Sequence, residues 1–327
     1  MGKLTGYGAL AAALLFAPLL ATGAASAQSF VPPSPQPMPQ VEAPRMAAQY
    51  WSPKRTPQPY RAPNRPHWKL SEILAAHRGQ GDWTQALVRN SEQEADYISL
   101  GVGKKTKTKM YADDRVVFIV QDGSLKVTID GVPPFTATRG FMVTVPYRHF
   151  YSLETVGDKP SLRFEVRHAN AAPLYPLTET PDALPGYVYT RVTGQPGPAR
   201  LTGADGTNPV YVDFWKDVAN GDKASSGKFV WDDHFTANIL RGRGAPVPPA
   251  TNKGHFHADF TEFWFIMEGK IGYQIEGLPY FETEPGDVVT ADTGRWHRAG
   301  NGPGAPMSTR IPFNPRPPIL HNVEPAD

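Results

Sequence analysis

The segment Gly254-His255-Phe256-His257-Ala258-Asp259-Phe260-Thr261-Glu262, together with His297, determines the expected fold. Successive side chains of an extended strand point to opposite faces, so His255 and His257 are expected on the same face. Glu262 opens an apolar run that is typical of the next strand. Three imidazoles and one carboxylate form a ligand set for a divalent transition metal. The predicted metal ligands are therefore His255, His257, Glu262 and His297.

These residues resemble the two sequence motifs of the cupins. The first motif, Gly, His-x-His, Glu and a later Gly, corresponds here to His255, His257, Glu262 and Gly269. The second motif, Gly, Pro-x-Gly, His and Asn, corresponds to Gly286, Gly294, His297 and Asn301, with Asp292 where the family usually has Pro. The resemblance implies a jelly-roll barrel with a metal seated inside it.

An internal repeat predicts a second barrel of the same kind. The segment 120–123 corresponds to 266–269, and 146 positions separate Gly123 from Gly269. The same offset, without a gap, pairs Gly131 with Gly277, Pro133 with Pro279, Phe135 with Phe281 and Gly140 with Gly286. Turn residues that recur in phase with short β-branched and aromatic runs are typical of a duplicated β-domain. We therefore predict an all-β fold of two tandem cupin barrels with short helices before them.

The first barrel is predicted to bind no metal at the equivalent place. The offset carries the four expected ligands back to Lys109, Tyr111, Val116 and Tyr151, none of which is a histidine or a carboxylate. His149 lies close by, but one histidine does not make a transition-metal site. The first barrel is expected to serve as a scaffold, a dimerisation partner or a wall of the pocket.

The amino-terminal region has the composition of an export signal followed by an arm. Lys3, the apolar stretch 9–21 and a small-residue cleavage site ending at Ala27 predict a signal peptide over residues 1–27. The mature protein is therefore expected in the periplasm or secreted, without a membrane span after processing. Residues 28–70 form a proline-rich arm that favours extended conformations. Trp51, Tyr60 and Trp68 are candidates to attach this arm to the folded body.

The remaining boundaries follow from composition. Residues 71–170 are expected to hold the first barrel and its helices, 171–208 a linker rich in proline, and 209–327 the second, metal-binding barrel. A helix is predicted over 71–77 with Ser71 as its N-cap, and a further helical turn over 82–88. The second barrel is expected to begin with the strand 210–215 or with 228–231.

Composition excludes several classes of function. A formal net charge of +2 and a charged fraction of 20% offer no electrostatic case for nucleic acid or an anionic membrane. The chain has no cysteine, so disulfides, thiolate ligands and a cysteine nucleophile are excluded. Any protein ligand to a metal must therefore be a nitrogen or oxygen donor.

Strand alternation predicts which side chains line the pocket. If Glu262 faces inward, so do Trp264 and Ile266. If His297 faces inward, Arg295 and Asn301 are expected to do so as well. Trp264, Ile266 and Asn301 are the candidate substrate-pocket residues, and Glu262 and Arg295 the candidate catalytic residues. Arg295 would either meet a substrate carboxylate or stand as a rim cation. Weaker candidates for proton transfer are Asp259, His234 and Asp292, whereas His67, His77, His168 and His321 receive no role.

Three functions remain open. The ligand set leaves up to two open positions on a six-coordinate ion and does not choose among Fe, Mn, Cu, Ni and Zn. The resemblance implies a small organic substrate and an oxidoreductase of dioxygenase type, because bicupin dioxygenases often work with one metallated barrel. The predicted signal peptide makes this an exported enzyme. The alternatives are a redox-neutral lyase or decarboxylase similar to oxalate decarboxylase, and a non-enzymatic metal or ligand binder. A homo-oligomer also remains open.

Overall fold

This computed structural model describes residues 51–194, 208–221, 225–234, 236–243, 248, 252–300, 306–315 and 321–323. The expected signal peptide, residues 28–50 of the arm and Asn301 lie outside the described residues. Within the described parts of the chain, no helix is both long and apolar enough to cross a membrane.

Short strands and very few helical turns make up the described part of the chain. The first half contains β1 His67–Trp68, α1 Leu70–Ala76, β2 Trp83–Arg89, β3 Gln93–Leu100, β4 Val116–Asp122, β5 Ser124–Ile129, β6 Val132–Thr138, β7 Phe141–Val145, β8 Tyr151–Thr155 and β9 Ser161–His168. The second half contains β10 Tyr211–Asp213, a π-helical turn Phe214–Val218, β11 Ser225–Trp231, β12 Thr236–Arg243, β13 Glu262–Glu268, β14 Gly272–Ile275, β15 Phe281–Glu282, β16 Val288–Ala291, β17 His297–Ala299 and β18 Met307–Asn314.

The strands form two barrel-like pairs of sheets. One pair has the strand orders β10-β7-β4-β9-β3-β2 and β6-β5-β8, and the other has β1-β16-β13-β18-β12-β11 and β15-β14-β17. Strands β13, β17 and β18 each begin 146 positions after β4, β8 and β9. The predicted all-β fold of two tandem jelly rolls is therefore confirmed.

The two halves exchange their leading strands. Strand β1 pairs with β16 of the second half, and β10 pairs with β7 of the first half. The expectation that residues 210–215 open the second barrel is therefore wrong, because these residues complete the first large sheet and then form the π-helical turn. The alternative start, 228–231, lies within β11, which does belong to the second large sheet.

Two local predictions in the first half are wrong. Helix α1 begins at Leu70, and neither Ser71 nor the N-cap residue Lys69 supplies a side-chain cap. Instead, the Leu70 amide donates to Asp287 Oδ1 of the second half at 3.0 Å. Residues 82–88, expected to be helical, fall largely in β2, whose pairing with β3 satisfies the backbone groups that a helix would have bonded internally.

One apolar core lies between the two large sheets. Phe263 and Phe265 of β13 face this core, whereas Trp264 and Ile266 face the interior of the second barrel, here called the lumen. Phe164 of β9 lies 5.2 Å from Phe265 and 5.7 Å from Phe313 between ring centroids. Because both halves contribute aromatic side chains to the same core, they pack as one unit rather than as two separate domains.

The described part of the arm lies on the second barrel. Tyr60 donates to the Thr290 carbonyl at 2.7 Å, and Lys54 pairs with Glu276 at 2.6 Å. Trp68 is buried, as expected, and donates from its indole to the Leu87 carbonyl at 3.1 Å. Trp51 is fully exposed, so the expectation that it attaches the arm is wrong.

Candidate metal centre

The four side chains singled out by spacing meet in the lumen. Ligand atoms of His255, His257, Glu262 and His297 all lie within 4.8 Å of one another. Oε2 of Glu262 is 2.9 Å from His257 Nε2, 3.2 Å from His297 Nε2 and 3.8 Å from His255 Nε2. An ion with bonds of about 2.1 Å holds adjacent donors about 3.0–3.4 Å apart. The cluster therefore has the dimensions of a single-ion site.

Backbone pairing brings the histidine segments together. His255 and His297 form an isolated antiparallel bridge, with N–H to carbonyl distances of 3.0 and 2.8 Å in the two directions. Gly254 has a φ of +72°, and a Cβ there would collide with the Trp296 ring and the His297 carbonyl. Only glycine fits this close approach without a shift of its neighbours.

The tautomer of His297 indicates that the cluster fits a cation. Its Nδ1 lies 2.9 Å from the Arg295 carbonyl, which can only accept, so Nδ1 carries the proton. In the neutral ring, the Nε2 lone pair then faces Glu262 Oε2, which is itself an acceptor, at 3.2 Å. A cation between the two atoms converts this repulsive contact into two favourable ones.

The protonation states also suit a cation. Burial alone would raise the pKa of Glu262, but the three histidines around its carboxylate outweigh burial and hold the pKa well below its usual range. Burial, with His297 nearby, lowers the pKa of His255. An ionised carboxylate beside a neutral imidazole is the state in which both groups bind a metal.

Neighbouring side chains fix the ligands in place. The Phe260 ring stacks on His257 at 4.2 Å, and Trp264 lies edge-on to His297 at 5.0 Å between centroids. Asn314 donates weakly to Glu262 Oε1 at 3.4 Å. All three are buried, so the ligands have aromatic walls on one side and a polar contact on the other.

Comparison with known proteins supports the fold. No family model matches the sequence, and no curated protein matches it either. Salicylate 1,2-dioxygenase from Pseudaminobacter salicylatoxidans matches with a TM-score of 0.56 and 12% identity, covering 80% of this chain and 85% of that chain. A cupin 2 conserved barrel domain protein from Leptotrichia buccalis matches with a TM-score of 0.52 and 10% identity, covering 76% and 96%.

The chain has a bicupin fold. Its carboxy-terminal half contains the His/Glu group, and its amino-terminal half lacks those residues at the corresponding positions.

Other predicted site residues of the chain lie in different places. Trp264 and Ile266 face the lumen as expected, with Trp264 against the cluster and Ile266 within the barrel's own apolar core. The Arg295 guanidinium instead donates to the carbonyls of Glu276 and Gln58 and stacks on the Tyr60 ring. These contacts attach the arm, and the expectation that Arg295 faces the pocket is wrong.

Three residues near the cluster escaped the sequence motifs. Arg310 of β18 pairs in register with lumen-facing Ile266, and its guanidinium acts electrostatically on Tyr273. The buried Tyr273 hydroxyl has no hydrogen-bond partner among the described residues. His321 lies 4.3 Å from His255 between ring centroids, and burial with the nearby histidines lowers its pKa to about 4. Strand register could have revealed Arg310 and Tyr273, whereas nothing in the sequence indicates that the tail returns His321 to the site.

The first barrel holds different chemistry at the corresponding place. Lys109 lies 5.8 Å from the Tyr111 ring centre and 6.0 Å from that of Tyr151. Burial lowers the pKa of Lys109, while the attraction of Glu165 opposes the shift. Glu165 pairs with Arg163 at 2.7 Å, and both are buried. A cationic side chain and a tyrosine thus occupy the positions of the first two histidines.

Proposed function

We propose that this bicupin is a mononuclear metal-dependent oxidoreductase of dioxygenase type that acts on a small, partly apolar organic acid. The convergence of three imidazoles and one ionised carboxylate in a buried lumen carries the proposal. When bound there, a divalent Fe, Mn, Cu, Ni or Zn ion supplies Lewis acidity and, for the redox-active metals, one-electron chemistry with dioxygen. The fold shared with salicylate 1,2-dioxygenase is consistent with this class.

The lumen offers the contacts that such a substrate requires. Trp264 and Ile275 provide buried apolar surface for a ring or a short chain. Arg310 supplies a positive charge on the same side of β18 as Asn314. The side chains of a strand alternate between its two faces, and Ile311 and Phe313, which lie between these two residues, face the intersheet core. We infer that Arg310 binds the substrate carboxylate and that the Tyr273 hydroxyl, which has no hydrogen-bond partner among the described residues, donates to the same ligand.

The protein's own residues then orient the reacting groups. The Arg295 carbonyl holds His297 by its Nδ1 proton, and Phe260 holds the His257 ring by stacking. The tail residue His321 lies over His255 at the edge of the cluster and narrows the approach to it. A substrate anchored by Arg310 would present its other end to the cluster, beside the rings of Phe260 and Trp264.

Dioxygen consumption tests the proposal. Protein stripped of metal and reloaded separately with Fe²⁺, Mn²⁺ or Cu²⁺ would be mixed with a panel of small hydroxylated aromatic and aliphatic acids. We expect oxygen uptake with one class of acid, incorporation of label from ¹⁸O₂ into the product, and loss of both in His257→Gln. Carbon dioxide release without oxygen uptake would assign the site to a lyase or decarboxylase instead. Ligand binding without turnover under every metal would assign it to a binder.

Export is part of the proposal. Lys3, the apolar stretch 9–21 and the small residues before Gln28 support secretion with cleavage after Ala27. Mass spectrometry of the protein isolated from the periplasm or medium should give an amino terminus at Gln28. An intact Met1 on cytoplasmic protein would contradict it.

A further inference from the structure

A second cluster of metal-ligating side chains lies where the two halves meet. Asp114 precedes β4, His168 ends β9, and His234 lies in the turn between β11 and β12. One ligand atom from each lies within 4.8 Å of the other two. Two of the three residues come from the first half and one from the second. This group, here called the seam cluster, is distinct from the lumen cluster because it shares no residue with it.

The distances within the seam cluster suit a small cation. Oδ1 of Asp114 lies 3.1 Å from His234 Nδ1 and 3.8 Å from His168 Nδ1. The two imidazole ring centres are 5.3 Å apart and inclined by 38°. A tetrahedral Zn²⁺ with bonds of about 2.1 Å holds its donors about 3.4 Å apart. The three donors therefore lie close enough together for one ion to contact all of them after small side-chain rotations.

The cation next to Asp114 in the sequence pairs with a different carboxylate, so Asp114 faces the two histidines. The adjacent cation, Arg115, is buried and pairs with Asp232. Asp232 also accepts the His234 amide at 3.0 Å, which holds the turn that carries the imidazole. The same ion pair thus fixes the second-half ligand beside the first-half carboxylate.

The side chains of the seam cluster are partly exposed to solvent, unlike those of a fully buried polar cluster. The side chains of Asp114, His168 and His234 are 18%, 35% and 50% exposed. Solvent can therefore reach the fourth position of a tetrahedral ion, where a water would complete its shell.

We propose that Asp114, His168 and His234 bind one Zn²⁺ ion that joins the two halves of the molecule. The ligands come from three separate segments, so binding fixes the β11–β12 turn of the second half against the end of β9. Nitrogen and oxygen donors of this kind suit Zn²⁺, which needs no redox partner to act as a clamp.

Metal stoichiometry tests the proposal independently of activity. The starting protein would be the full chain with His255→Gln and His257→Gln, which disables the lumen cluster. After chelation, loading with Zn²⁺ and desalting, elemental analysis should give one Zn²⁺ per chain. Adding His168→Gln and His234→Gln should reduce this value to nearly zero, and Co²⁺ in place of Zn²⁺ should lose its tetrahedral absorption bands in the same variant. His77→Gln, a substitution away from both clusters, should change neither value.

A second comparison keeps the test decisive if the starting variant fails to fold. In the otherwise unaltered chain, His168→Gln with His234→Gln should lower bound Zn²⁺ by one equivalent. Both side chains are partly exposed, so these substitutions are expected to preserve the fold. Unchanged stoichiometry in either background would overturn the seam proposal and leave the lumen proposal standing. Conversely, one seam ion with an empty lumen would overturn only the proposed enzyme.

Discussion

Glu262 is the side chain on which the lumen site most depends. It supplies the only carboxylate among the four predicted ligands and approaches all three histidines through Oε2. Its lowered pKa keeps that charge in place although the side chain is buried. Because its Oε2 lies 2.9–3.8 Å from all three Nε2 atoms, one carboxylate oxygen is placed both to bind an ion and to lie beside each of the other ligands.

Glu262→Gln should separate charge from shape. The amide keeps the size of the side chain but removes the negative charge, so we expect metal affinity to fall by more than the roughly 10–100-fold seen for changes outside the first shell. Isothermal titration with Zn²⁺ or Mn²⁺ at pH 7 measures the effect. An affinity within threefold of the parent would show that Glu262 is not a ligand.

Arg310→Met should impair recognition of the substrate rather than binding of the metal. A charge-assisted hydrogen bond contributes roughly 1.5–3 kcal/mol, so KM for a carboxylate substrate should rise about 10–100-fold. The metal content should stay at the parent level. Arg78→Met, which removes an exposed cation near helix α1, serves as the matched control. Equal loss of activity for acids and for their neutral amides would contradict the assigned role.

The two halves repeat the same turns, and each of these turns has a glycine at the equivalent position in both halves. Gly140 and Gly286 have φ values of +92° and +90°, and Gly131 and Gly277 have +76° and +78°. A Cβ at Gly140 would collide with the Trp215 ring of the π-helical turn, whereas a Cβ at Gly131 would meet no atom of the described residues within 4 Å. The first position is therefore constrained by packing as well as by backbone conformation, and the second by conformation alone.

Substituting these glycines by alanine should separate the two effects. Gly131→Ala should cost roughly 1–2 kcal/mol because of the positive φ. Gly140→Ala should cost about 1–3 kcal/mol more, since overpacking is added to the same strain. Urea denaturation measures both free energies of unfolding. Equal losses would show that the Trp215 contact adjusts freely.

The elements were partly predictable from the sequence. The 146-residue offset predicted that the turns after β4 and β13, and those before β7 and β16, correspond, because turn glycines and apolar runs recur together. The exchange of β1 and β10 between halves could not be predicted, since each strand is two or three residues long and pairs with a distant partner. The start of α1 was missed for a similar reason: the acceptor at its first turn is Asp287, which lies 217 positions away.

Both halves of the molecule share one apolar core, but the interior of each barrel has its own charge balance. In the first barrel, burial alone would raise the pKa of Glu165, but the charges of Arg163, Lys109 and Arg167 outweigh burial and the pKa is lowered. A carboxyl group with a lowered folded-state pKa stabilises the fold above its unfolded pKa. That contribution disappears as the pH falls through the lower, folded value.

Glu165→Gln should therefore destabilise the protein in a pH-dependent way. At pH 7 we expect a loss of roughly 3–5 kcal/mol, because Arg163 is left buried without its partner charge. The difference from the parent should narrow as the pH falls below the ordinary value of 4.5 and the parent carboxylate takes up a proton. Chemical denaturation from pH 7 to pH 3 follows the trend, with exposed Glu72→Gln as the control. A pH-independent difference would mean that the effect of Glu165 is one of packing.

Anomalous diffraction from crystals of metal-loaded protein, collected on both sides of the absorption edge of the added ion, tests the lumen site most directly. We predict a peak about 2.0–2.3 Å from the Nε2 atoms of His255, His257 and His297 and from a carboxylate oxygen of Glu262. A peak beside Lys109 and Tyr151 in the first barrel, or no peak among these four side chains, would contradict the account.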